Sequence, residues 1–393
     1  MKVLVTGGAG YVGSHVAWAL REAGHDVFIF DDLSEGHRPA AGGMPLVEGD
    51  LLSSEDLGRA FKRTGAEAVI HMAAKCLVEE SVREPALYWR INVAGSLRLL
   101  AAMQRAGARL IVFSSSAATY GQPDREVIDE AAPKAPCNPY GTTKLVFEQA
   151  LIDHAAAPVF TTAAAPAAND KTAAAAAKPS AAKRAHGKAA GRGKDKDKAK
   201  ARDGKGEPGE SVDAAPSLLG PGRLGYVALR YFNAAGAHSS GKIGEDHPVE
   251  THLIPNLLRA ALSGGARPLK IFGSDYPTPD GTAVRDYVHV EDLASAHVKA
   301  LEYLARGGES ASMNLGTGRG SSILEVLEAA KKVTGRDFPA ERAPRRAGDP
   351  ARLVASNALA SERLGWRPAR TLEDIIASAW KWHSEHPKGY AGK

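Results

Sequence analysis

The chain has 393 residues, 44% of them hydrophobic, with 50 Lys and Arg against 45 Asp and Glu and a net charge of +5. A chain of that make-up can bury a sizeable core, and its two cysteines, Cys76 and Cys137, have no paired spacing that would suggest a disulfide framework. No apolar run comes near the roughly 20 residues that a membrane span needs, and Met1-Lys2 leads straight into an apolar run, so neither a membrane segment nor a signal peptide is expected and the cytoplasm is the expected location.

Val3, Leu4 and Val5 read as a buried parallel strand. Gly7, Gly10 and Gly13 follow: the first allows a sharp turn, the second lets the backbone approach a pyrophosphate, and the third lets a helix pack against the strand. Ser14 to Ala23 reads as that helix, with its positive end toward the phosphates. A second strand, Val27 to Phe30, ends at Asp31, 18 residues after Gly13, where a carboxylate would hydrogen-bond a ribose diol and repel a 2′-phosphate. NAD is therefore the expected cofactor. Pro45 to Val47 reads as a third strand closed by Asp50-Leu51, and Ala68 to His71 as a fourth, followed by the small residues Ala73 and Ala74. His71 reads as a satisfied core or turn histidine. Tyr88 to Arg105 reads as one long helix carrying Asn92, and Leu110 to Phe113 as a fifth strand running out at Ser116. Alternating strands and helices predict an α/β fold, a Rossmann-type doubly wound parallel sheet, whose ligands lie beyond the carboxyl ends of the strands.

Tyr140 and Lys144 are four residues apart, hence on one face of a helix that Pro139 begins. A free phenol has a pKa of about 10 and is a poor base at neutral pH; a neighbouring ammonium favours the phenolate. Tyr140 could then take a proton from a sugar hydroxyl while hydride leaves the same carbon, with Ser116 holding that hydroxyl and relaying the proton.

The stretches TGGAGYVGSH (6–15), HMAAKCLVEESV (71–82), FSSSAATYG (113–121), NPYGTTKLVFEQ (138–149), LRYFNAAGAHSSGKIGE (229–245), IFGSDYPTPDGTAVRDYVHVEDLA (271–294) and RRAGDPARLVAS (345–356) resemble, in this order, the extended short-chain dehydrogenase/reductase superfamily and within it the UDP-glucose (UDP-galactose) 4-epimerases. The resemblance implies NAD-dependent interconversion of UDP-galactose and UDP-glucose through a 4-keto sugar, in galactose metabolism. It implies Ser116, Tyr140 and Lys144 as catalytic residues. It implies a cofactor site of Gly7, Gly10, Tyr11, Val12, Gly13, Asp31, Asp32, Asp50, Leu51, Ala73, Ala74, Asn92, Tyr140 and Lys144. On the substrate side it implies Asn233, Arg285 and Arg346 at the diphosphate, Asp349 at the uridine ribose, and Ser116, His252, Leu253 and Leu353 about the sugar nucleotide. A homodimer is expected, and no metal.

The chain departs from the family pattern at Cys76, where some relatives carry Lys, at His252, where Asn is frequent, and at Leu353, where one branch has a large Tyr. Dehydratases of the superfamily place an acid just after the strand-end Ser or Thr, whereas this chain has Ala117-Ala118-Thr119, which argues for epimerisation. Alternatives are 4-epimerisation of another UDP-sugar (an N-acetylhexosamine, pentose or glucuronate) and a non-catalytic interaction protein.

The expected domains are residues 1–154, a first part of the NAD-binding unit; 155–222, an Ala/Lys-rich insert; and 223–393, the remaining strands interleaved with a smaller C-terminal substrate domain. From 168 to 207 there are 12 Lys and Arg against 5 Asp and Glu, so the chain's basic excess belongs to the insert. Such a stretch lacks the apolar side chains to order itself and reads as a disordered surface loop. The sharper reading is a weak polyanion contact, with few aromatics to stack on bases and so no sequence reading of nucleic acid. No Cys/His cluster shows ligand spacing, and His383 and His386 read as solvated.

Overall fold

The computed structural model describes residues 1–158, 222–264, 266–346 and 349–392. Nearly all of the expected insert, including the basic stretch 168–207, lies outside the described residues.

Seven parallel strands form the main sheet. In chain order they are β1 (Lys2–Thr6), β2 (Asp26–Asp31), β3 (Leu46–Glu48), β4 (Ala68–His71), β5 (Leu110–Ser116), β6 (Gly225–Tyr231) and the strand Ala311–Leu315. Across the sheet the order is β3, β2, β1, β4, β5, β6 and then Ala311–Leu315, every pairing parallel. The chain thus starts in the middle, winds one way to β3 and then crosses back past β1 to build the other half, which confirms the doubly wound sheet. Both faces are covered, so the strands are apolar throughout and consecutive side chains enter different cores. Val3, Val5, Ile29, Ile70 and Leu229 pack on one side beneath helix α1 (Tyr11–Glu22) and the helix Val290–Ala305. Leu4, Phe30, Val69, Ile111 and Ala228 pack on the other beneath helix α2 (Ser54–Thr64) and the helices Ser96–Ala106 and Pro139–Ala156. A third, smaller core lies among the helices Leu253–Leu262, Ile323–Thr334 and Leu372–Glu385.

The observed elements sharpen the sequence reading in three places. Helix α1 begins at Tyr11, three residues earlier than expected, directly after the last backbone turn of the glycine segment. The third strand is displaced by one residue, to Leu46–Glu48. The long helix over Tyr88 to Arg105 is continuous but contains a π-helical segment, Trp89–Gly95, between Pro85–Tyr88 and Ser96–Ala106. Such an insertion is common at functional sites and re-aims one side chain. Here it directs Asn92 at residue 75, where its amide accepts from the Lys75 backbone N–H and donates to the Lys75 carbonyl, both at 2.9 Å.

Candidate active site

Gly7, Asp31, Ala73 and Ser116 follow or end β1, β2, β4 and β5, so the parallel sheet brings four segments far apart in sequence to one edge. Gly7 has φ +69, and a Cβ there would lie 2.6 Å from the backbone nitrogen of Ala73. A Cβ on Gly13 would lie 2.0 Å from the Gly7 carbonyl oxygen. A Cβ on Gly10 would meet only that same oxygen, at 3.4 Å, so its outer side opens on space. Gly10 is also the N-cap of α1, which has neither a side-chain cap nor an acid in its first turn. The helices Ser54–Thr64, Pro139–Ala156 and Ile323–Thr334, by contrast, are capped by Ser53, Asn138 and Ser322. An uncapped N-terminus behind an open glycine fits a pyrophosphate, and the donor chemistry of this edge therefore fits a dinucleotide.

Tyr11 donates its hydroxyl to the Gly236 carbonyl at 2.7 Å and ties the start of α1 to the end of the short strand Asn233–Ala235, while Val12 packs on the first core. The Asp31 carboxylate accepts from the backbone N–H of Ala9 and of Leu33, each at 2.9 Å, and so fixes the turn beneath the cradle. Burial raises its pKa and those two bonds oppose the rise. Asp32 accepts from the Ser34 N–H and hydroxyl; Asp50 is exposed and Leu51 is buried against Gly95. His71 is enclosed, 2.8 Å from both Thr6 Oγ1 and Ser96 Oγ, and burial lowers its pKa to about 3, so it is a neutral core histidine as expected.

The next group is held by the approach of one helix to one turn. Asn138 caps Pro139–Ala156 by accepting from the Gly141 N–H at 2.9 Å. Gly141 lets that helix sit close on the turn after β5, since a Cβ there would be 2.3 Å from the Ala118 carbonyl oxygen. That contact sets the Tyr140 phenol near Ser116, which acts to lower its pKa. Ser116 Oγ also accepts from the Ala118 N–H at 3.1 Å. Lys144, one turn on, is buried; its ammonium donates to the Ser114 carbonyl at 2.8 Å and lies 4.9 Å from the Phe113 ring centre and 5.8 Å from that of Tyr140. Burial lowers its pKa to about 8.

Burial pushes the Tyr140 pKa up and Cys76 adds to the rise, while Ser116 opposes it.

On the facing side the short strand Val284–Arg285 lies between Ser321–Ser322 and Arg352–Leu353, with Arg285 in register with Leu353. The Asp286 carboxylate accepts from the N–H groups of Thr317 (2.9 Å), Ala355 (3.1 Å) and Gly318 (3.3 Å), and its carbonyl accepts from the Asn233 N–H at 3.0 Å. This hub assembles Asn233, Arg285 and Leu353. Arg285 is buried and paired with Asp349. Arg346 lies 3.7 Å from Glu79 and 4.1 Å over the Phe272 ring; Leu353 packs on the cluster Tyr120, Ile128 and Ala132. His252 is the N-cap of Leu253–Leu262, its ring 2.8 Å from Glu245 and 3.2 Å from Glu250.

Three features escaped the sequence reading. Glu148 and Arg230 form a buried ion pair, with Arg230 Nε 2.9 Å from Glu148 Oε1 and its guanidinium 2.9 Å from the Tyr120 hydroxyl. Glu245, His247, Glu250 and His252 converge; a search for Cys and His alone passes over E-x-H-x-x-E-x-H. His383 is buried beside Trp382, not solvated, because its helix turns that face into the third core. Among the described residues no helix is long and apolar enough to cross a membrane.

Comparison with known proteins agrees with this geometry. Residues 3–168 and 221–316 match the family model described as the NAD dependent epimerase/dehydratase family. A UDP-glucose 4-epimerase of Lactobacillus helveticus is 43% identical, with all of both chains covered. The crystal structure of UDP-glucose 4-epimerase from Stenotrophomonas maltophila, with bound NAD and formylated UDP-arabinopyranose, superposes with a TM-score of 0.79 at 36% identity over 99% of both chains. That from Brucella ovis, in complex with NAD, gives 0.77 at 40% identity over 96% of this chain and 97% of its own.

Proposed function

The chain belongs to the NAD dependent epimerase/dehydratase family, and from that premise we propose that it is an NAD-dependent UDP-glucose 4-epimerase interconverting UDP-galactose and UDP-glucose. The observation that carries the reading is the juxtaposition of Ser116, Tyr140 and a buried Lys144 that forms no ion pair among the described residues, on the sheet edge that also holds the open glycine cradle.

In this reading the open side of Gly10 and the uncapped start of α1 receive the pyrophosphate, and Asp31 with Asp32 lies toward the adenosine ribose. Asp50-Leu51 lies toward the adenine, and Ala73-Ala74 line the floor. Bound NAD supplies the acceptor and the returning donor of a hydride at sugar C4, and its positive ring adds the charge that favours a nearby phenolate. Tyr140 Oη takes the proton of the sugar 4-hydroxyl, Ser116 Oγ holds that oxygen, and Lys144 positions the cofactor's ribose side and stabilises the phenolate as it forms. Asn92 serves by fixing residues 75 and 143, which its amide joins. Arg285 and Arg346 hold the diphosphate, with Asn233, while the 4-keto sugar turns and presents its other face; guanidinium forks suit phosphate oxygens. Asp349 takes the uridine ribose, and His252, Leu253 and Leu353 border the sugar nucleotide. Thr119, following two alanines after Ser116, donates to the Ser116 carbonyl at 2.9 Å, so no acid stands there to expel water, which favours epimerisation over dehydration. We read the chain as a homodimer in which residues 1–154 and the later sheet strands bind NAD.

The test uses purified protein with UDP-galactose and no added nucleotide. Formation of UDP-glucose, with NAD released on denaturation, is the expected result. Turnover only with added NADP, consumed in proportion to product, would reject the reading.

A further inference from the structure

The loop between the strand Asn233–Ala235 and the helix Leu253–Leu262 gathers four ligand-type side chains, three of which have no part in the proposed epimerase chemistry. Glu245, His247, Glu250 and His252 each bring one donor atom within 4.8 Å of the others. We propose that these four residues form a binding site for one zinc(II) ion per chain.

Four observations carry this. The separations are those of ligands about a common centre: His252 Nδ1 lies 2.8 Å from Glu245 Oε1 and 3.2 Å from Glu250 Oε1, and His247 Nδ1 lies 3.3 Å from Glu250 Oε2 and 3.5 Å from Glu245 Oε1. A tetrahedral zinc with ligands at about 2.0–2.1 Å has edges of about 3.3 Å. Second, Glu245 Oε1 is buried and accepts no hydrogen bond, although a ring nitrogen is 2.8 Å away. Two donor atoms that approach without aligning have their lone pairs free for a third atom. Third, the Glu245 and Glu250 side chains are 4% and 1% exposed, and among the described residues no Lys or Arg forms an ion pair with either. Two carboxylates and two neutral imidazoles around a dication sum to zero charge, so one zinc(II) ion can take the place of the two imidazolium protons that otherwise neutralise the carboxylates. Fourth, His252 is 44% exposed, so the ion has a way in past a ligand at the mouth. Mixed imidazole and carboxylate donors in four-coordinate geometry suit zinc rather than magnesium or calcium, which take mainly oxygen and six or more ligands.

The test uses the full chain with its nucleotide bound and without an affinity tag. Equilibrium dialysis should return one zinc per chain, and cobalt(II) should give the intense visible bands of a tetrahedral site, abolished by zinc. His252→Ala removes an exposed ligand without disturbing the core and should weaken zinc binding at least about tenfold, the scale on which even outer partners of a metal act. His247→Ala should do the same, while His386→Ala, which lies outside the cluster, should bind as the parent does. The nucleotide retained by each variant, measured alongside, reports folding and does not depend on the proposed activity. Equal zinc affinity in the parent and His252→Ala, or weak octahedral cobalt bands in both, would overturn the proposal: the four residues would then be an ion-pair cluster neutralised by protons alone.

Discussion

Two buried cations at one end of the sheet have opposite surroundings. The Arg230 guanidinium is matched by the Glu148 carboxylate, which Ser115 and Ser312 also contact, and by the Tyr120 hydroxyl, itself bonded to Asn314 at 2.7 Å. Lys144, one turn before Glu148 on the same helix, has a single carbonyl at 2.8 Å and aromatic faces. The pKa changes follow: burial opposes the charge on both, but the direct pair with Glu148 outweighs it and raises Arg230, whereas at Lys144 the weaker pull of Cys76 and Glu148 does not. A charge kept for structure is neutralised by what surrounds it. A charge left short of partners in the interior costs stability and persists where the site uses it.

Four experiments would break or sharpen that contrast. The largest effect belongs to the unpaired side: Tyr140→Phe should lower turnover by about 10²–10⁴-fold, the usual share of a general acid–base group, with an unchanged urea midpoint. Turnover within threefold of the parent would remove the phenol from the chemistry. On the paired side Glu148→Gln strands the Arg230 charge and should cost about 3–5 kcal/mol of stability in urea unfolding; a loss below about 1 kcal/mol would mean that the pair is dispensable.

The third experiment varies pH. The Lys144 pKa is lower in the folded chain (about 8) than in the unfolded one, so between pH 8 and about 10.5 the unfolded state binds more protons and stability rises with pH. Below pH 8 both states are protonated and the penalty of the buried charge is present in full. Stability of the parent relative to Lys144→Met should therefore climb by roughly 3 kcal/mol across that window, and parallel pH curves would contradict this. The smallest effect is expected at Leu353, which packs on Tyr120, Ile128 and Ala132. Apolar bulk discriminates by only about 1–3 kcal/mol, so Leu353→Tyr should reduce turnover of UDP-N-acetylglucosamine relative to UDP-galactose without abolishing either. An unchanged ratio of the two rates would place the discrimination elsewhere.

The same contrast explains what could be read from the sequence. Gly7, Gly10, Gly13 and Asp31 were legible because a tight turn, a helix start and a strand end are local, and residue spacing encodes them. Tyr140 and Lys144 were legible for the same reason, being one helical turn apart. Glu148 and Arg230 are 82 positions apart and meet only through the pairing of β5 with β6, so neither announces its partner. Asp286 is likewise a hub only after the strands Val284–Arg285 and Arg352–Leu353 pair. The π-helical segment at Trp89–Gly95 keeps the residue pattern of a plain helix and hides in it. The Tyr140–Lys144 spacing encodes that two side chains share one face, whereas the Ser114 carbonyl, supplied by β5, decides where the ammonium points.

The most direct test of the contrast is a pH titration, by nuclear magnetic resonance, of the side-chain nitrogens in lysine-labelled protein. The account predicts one lysine titrating near pH 8, assigned by its disappearance in Lys144→Met. If the signal lost in Lys144→Met instead titrates with the exposed lysines, above about pH 10, Lys144 is not an uncompensated buried charge and the contrast with Arg230 fails.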